Sequence, residues 1–113
     1  MHDKKMEPSD LRQLHQELRQ QFGSLYDQVM NLLRQHDPLS LLEAGVPNDE
    51  YEPELGTILP RLAETHEPRD VMRVVHEEFV RWFDADIAGH RSDYQALGQD
   101  IWQVYEGWKT ASR

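Results

Sequence analysis

Apolar positions along the chain recur at helical spacing. Leu11, His15, Leu18, Phe22, Leu25, Val29, Leu32 and His36 follow steps of 4-3-4-3-4-3-4, which hold one face of a helix in line as in a coiled coil or bundle. The spacing predicts a long first helix from about Ser9, a natural N-cap with Asp10 in the first turn, to about Gln35. Gly23 lies off the stripe and weakens a helix by about 1 kcal/mol relative to Ala, so a bend or a break falls there. Residues 68–83 carry Val71, Met72, Val74, Val75, Phe79, Val80, Trp82 and Phe83 over a broad arc, the mark of a central core helix. Tyr94, Leu97, Ile101, Tyr105 and Trp108 give a last helix, capped by Ser92 and closed by Lys109 and Arg113 at its negative end. Gly98 on that helix marks a close helix contact. No segment alternates with period two long enough for a strand.

Between the first helix and the core helix, prolines and glycines set the boundaries. Asp37-Pro38 reads as the start of a short helix over 38–44, since Pro suits a first turn and Asp accepts a free N–H there. Gly45 and Pro47 end it, and Asn48-Asp49 favour a turn. Another helix begins near Tyr51 to Pro53. Its Pro60 displaces the bond to the Gly56 carbonyl, a paired kink. Thr65 to Arg69 connects to the core helix, with Pro68 at its start, and Asp84 to His90 reads as a loop. The fold class expected is all-α, a small antiparallel bundle of four main helices plus one short connecting helix. It is one domain over 9–113 behind a loose 1–8.

Residues 36–62 also carry a resemblance. Asp37-Pro38, Leu41, Pro47, Asp49-Glu50-Tyr51, Glu54, Ile58 and Leu62 are similar to the pattern of the bacterial domain-of-unknown-function family 1871, the YugE-like proteins. His36 stands where that family usually has Trp and Ser40 where it has Gly, and the segment before residue 25 is longer. Phe79 and Phe83 continue the likeness more loosely. The resemblance implies a small helical fold and brings no established activity with it.

Composition narrows the function classes. Charge is uneven: residues 1–36 hold five basic and five acidic side chains, 37–67 hold one and eight, and 68–113 hold six and eight, which together make the net −9. An acidic chain repels phosphate, so nucleic-acid binding is not expected; a basic protein partner is. No apolar run approaches a membrane span and Met1–Glu7 has no signal-peptide core. The chain has no cysteine, which excludes thiolate chemistry and fits a reducing, cytoplasmic setting.

No catalytic residue, metal site or cofactor loop is assigned from the sequence. His76-Glu77 opens like a zinc-protease helix, but Val80 stands where the second His is required. His15 and His36 are three heptads apart and cannot share an ion. The candidate functional surface is Asp37, Asp49, Glu50, Tyr51, Glu52 and Glu54. Helix-capping carboxylates on a solvated face are the simplest account of it. A partner-binding face is the functional reading, and a divalent cation or small active site is the alternative, although the spacing is not that of an EF-hand. A continuous first helix would span about 38 Å from Leu11 to His36 and overhang the bundle, so Leu11, His15, Leu18 and Phe22 form a candidate self-association stripe for a homodimer. The reading is a non-enzymatic interaction module offering an acidic surface, for which an immunity-like or antitoxin-like role would suit a small acidic domain.

Overall fold

A computed structural model describes residues 8–38 and 52–111, leaving aside the side chains of 8–12, 14, 15, 52 and 53. The chain is all-α. Helix α1 spans Pro8–Phe22, α2 Ser24–His36, α3 Glu52–Arg61, α4 Pro68–Phe83, α5 Ala85–Ala88 and α6 Gln95–Ala111. Two 3₁₀ turns, Leu62–Glu64 and Arg91–Tyr94, lead out of α3 and into α6. No strand occurs among the described residues. The short helix expected over 38–44 falls largely outside them.

Helix α4 is the centre of the bundle, as its apolar arc predicts. Val71, Val74, Val75 and Phe79 are fully buried, and α4 packs against α3, α5 and α6. Pro68 stands in its first turn, where the missing N–H costs nothing. Helix α6 lays Leu97, Ile101 and Tyr105 into the core and crosses α4 at Gly98. A Cβ there would come within 2.8 Å of the Met72 backbone nitrogen and 2.9 Å of its Cα. Glycine is therefore the condition for the α4–α6 approach.

Of the bend or break expected at Gly23, the chain takes the break, and the first helical stretch is two helices. Gly23 has φ 55° and ψ −128°, a mirror-β conformation that glycine alone enters without steric cost. Its N–H still bonds the Arg19 carbonyl at 2.8 Å, so α1 ends cleanly and α2 sets off in a new direction. The buried residues of α2 follow the stripe only in part. Leu25 and Val29 go inward as the stripe requires, joined by Tyr26, Met30 and Leu33, while Leu32 and His36 are only half-buried. The overhang does not form. Leu18 and Phe22 are buried in the chain's own core, and the Phe22 ring lies 5.7 Å from that of Trp108. Among the described residues, these two members of the candidate stripe are covered by their own chain. The side chains of Leu11 and His15 lie outside the described residues.

Other boundaries shift for local reasons. Asp37, read as a helix start, closes α2 instead: it sits in the left-handed region at φ 45°, ψ 58°, with its N–H on the Leu33 carbonyl at 2.8 Å. Aspartate is among the few residues that tolerate this conformation. Pro60 is near the end of α3, and the chain tightens to a 3₁₀ turn two residues later. Thr65 then closes that turn, its hydroxyl donating to the Leu62 carbonyl at 2.6 Å. The expected loop at 84–90 contains the four-residue α5.

Gly23→Ala should destabilise the fold by about 1–2 kcal/mol, because the added Cβ opposes a positive φ. It would meet no neighbour within 4 Å, so the loss comes from the backbone alone. A continuous helix would gain about 1 kcal/mol from the same change. The sign of the shift in a urea melt separates the two.

Candidate functional site

The acidic residues singled out in the sequence do not form one exposed face among the described residues. Asp49, Glu50 and Tyr51 lie outside them, as does the side chain of Glu52. Glu54 is buried, with 2% of its surface exposed: it sits one turn before Ile58 on the inward side of α3. Asp37 is half-buried at the end of α2. Among the described residues, no three His, Cys, Asp or Glu side chains are grouped to hold a metal ion, and no helix is long and apolar enough to cross a membrane.

The structure draws together charged groups that sequence spacing did not link. Arg61, at the end of α3, reaches α4. Its Nη1 donates to Glu78 Oε2 at 2.8 Å and its Nη2 to Glu77 Oε1 at 2.9 Å and Glu64 Oε1 at 3.1 Å. The bond to Glu64, then those to Glu77 and Glu78, hold the guanidinium well above its ordinary pKa against the opposing effect of burial. The same bond from Arg61 holds the Glu77 carboxyl below the usual glutamate value. Glu78 is the unusual member. Only 1% of it is exposed, and among the described residues its second oxygen has no partner and its only other cation is Arg81 at 3.4 Å. A carboxylate so enclosed is held by its partners rather than by water. The cluster is a structural tie between α3 and α4.

A smaller tie joins α2 to α6, where His36 Nε2 donates to Asp100 Oδ2 at 2.8 Å. Another joins α4 to α3: Trp82 Nε1 donates to Thr57 Oγ1 at 3.0 Å, and that hydroxyl donates to the Glu54 carbonyl at 3.0 Å.

The feature least explained by packing is the corner after α4. Asp84 has φ 96° and ψ 168°, a region otherwise left to glycine, at a cost of roughly 1–3 kcal/mol. Its Oδ1 accepts from the Ile87 N–H at 3.0 Å, which starts α5. The corner is pinned from below. The Tyr94 hydroxyl donates to the Ala88 carbonyl at 2.6 Å and His76 Nε2 donates to the Gly89 carbonyl at 2.9 Å. Burial, followed by the nearby Asp93 charge, pushes the Tyr94 phenol up to about 12, so it stays protonated to donate this bond. The Tyr94 ring packs 5.4 Å from both His76 and Phe79. On this support Asp84, Ala85, Asp86 and Ile87 all face outward. Ile87 is 56% exposed, the one large hydrophobic side chain so placed among the described residues. The sequence offered one signal for it, an isoleucine between short acidic and small residues in a segment otherwise read as loop.

Comparison with protein-family models, curated proteins and solved structures finds no match for this chain.

Two substitutions probe this geometry. Arg61→Leu should cost about 3 kcal/mol, since it leaves the buried Glu78 carboxylate with Arg81 alone. Adding Glu78→Gln should recover part of the loss in the same denaturant titration, and simple additivity would show that the two side chains are not coupled. Asp84→Gly should raise stability by about 0.5–1 kcal/mol, as relief of backbone strain outweighs the lost cap and the added unfolded-state freedom. A lower midpoint would mean that the cap dominates.

Proposed function

We propose that the chain is a non-enzymatic protein-interaction module that presents an acidic surface to a basic protein, and that the corner formed by Asp84, Ala85, Asp86 and Ile87 belongs to that surface. The observation that carries this reading is Ile87: 56% exposed, held outward by a strained residue and flanked by two exposed carboxylates. Strain retained at an exposed corner is a common accompaniment of function. An apolar anchor rimmed by charge suits a contact in which one side chain is desolvated and the rim selects the partner by sign. The net charge of −9 selects a basic one. A second copy is the poorer candidate, because it carries the same acidic excess and because Leu18 and Phe22 are already covered by their own chain.

Asp49, Glu50 and Glu52 would extend the acidic surface if they face outward, whereas Glu54 is buried and does not contribute. An immunity-like or antitoxin-like role is one form such a module could take. The resemblance over residues 36–62 adds a helical fold to this reading and no activity. The alternative of a divalent-cation site or small enzyme built on Asp37, Asp49, Glu50 and Tyr51 gains no specific observation from the described residues.

Immobilised protein should retain a basic protein from its native extract at low salt and release it as salt is added. Ile87→Ser and Asp86→Asn should each lower that capture by about tenfold, the scale of a contact worth more than 1 kcal/mol. Asp27→Asn, on the exposed face of α2, should leave it unchanged. Undiminished capture by Ile87→Ser would remove the corner from the surface, and a wild-type chain that retains nothing would remove the interaction reading itself.

A further inference from the structure

At the other end of α4, an acidic protein presents a cavity whose charged lining is entirely basic. About 480 Å³ of space lies between the first turn of α4 and the start of α6, lined by Pro68, Arg69, Met72, Arg91, Ser92, Gln95 and Gln99. The volume falls within the range of small-molecule sites. Its charged groups are Arg69 and Arg91, and among the described residues neither has a carboxylate partner. This sets them apart from Arg61 and Arg73, which are both committed to glutamates.

The acids next to them in the chain are turned to other work. Asp70 accepts the His66 backbone N–H at 2.9 Å, and Asp93 accepts that of His90 at 3.1 Å. These bonds close the turns on which the two arginines are carried. Each local acid is thus engaged by backbone while each arginine stays available. Ser92, Gln95 and Gln99 add neutral hydrogen-bonding groups, and Met72 and Pro68 add an apolar wall.

We propose that this cavity binds a small organic oxyanion. The phosphoryl or carboxylate group is held by Arg69 and Arg91, whose planar guanidinium groups match such oxygens, and an apolar portion rests on Met72 and Pro68. The site is separate from the acidic corner and stands or falls independently of the proposed partner.

The test is a titration of isotope-labelled full-length protein, followed by amide chemical shifts in chloride buffer. The probes are phenyl phosphate, benzoate and inorganic phosphate. Saturable shifts centred on residues 68–72 and 91–99 with phenyl phosphate or benzoate support the site, and the tighter of the two names the head group. Weaker binding of inorganic phosphate than of phenyl phosphate supports the apolar wall. Arg69→Gln and Arg91→Gln, both at exposed positions, should each weaken binding by about tenfold or more, with the rest of the amide spectrum showing that the fold is intact. Absence of saturation by any probe, shifts scattered over the surface, or unchanged affinity in the double variant would overturn the proposal.

Discussion

The bundle depends on how closely α4 and α6 approach. A single missing Cβ, at Gly98, lets one helix backbone lie against another at Met72. Leu97 and Ile101 on α6 and Val71 and Val75 on α4, the residues around that contact, are all buried. The contact also sets where the 3₁₀ turn before α6 lies, and so where Tyr94 can reach Ala88. The cavity beside Arg69 is lined from both helices, by Met72 on one and Gln95 and Gln99 on the other. Any side chain larger than hydrogen would push the helices apart, since the obstructing atoms are backbone and cannot rotate away.

Around this apolar centre the chain uses charge to fix relative positions. Arg61 gathers three glutamates from the turn after α3 and from α4, and His36 meets Asp100 across 64 residues of sequence. Such ties add less to stability than their short distances suggest, because each charge gives up hydration. Their value is directional. A hydrophobic face tolerates sliding by a turn, whereas a forked guanidinium with three named acceptors does not.

The helical class, the central place of residues 68–83 and the close approach at Gly98 were all legible in the sequence, because each rests on periodicity or on a residue type with a narrow set of uses. The break at Gly23 was only half legible. Its weakness was visible, but a stripe aligned on both sides of the glycine is compatible with one helix or two, and a backbone torsion decides between them. Tyr26, Met30 and Leu33 are buried although they lie off the 4-3 stripe. The charged ties were illegible, since nothing in local spacing brings Arg61 to Glu78. Glu54 illustrates the converse: a glutamate in an acidic run reads as surface, yet its place one turn before Ile58 turns it inward. Ile87 stayed hidden because a lone isoleucine in a short segment has no periodicity to assign it a face.

The contact between Phe22 and Trp108 has a consequence for how the chain reaches its fold. Trp108 stacks on Tyr105 at 6.1 Å and meets Phe22 at 5.7 Å, so α1 completes its packing on a helix made some eighty residues later. Contacts this distant in sequence require a long loop to close before they return any energy, which slows folding relative to a bundle of neighbouring hairpins. Until α6 is made, the Phe22 ring lacks the face that Trp108 gives it, although α1 can already pack on α2 and α3.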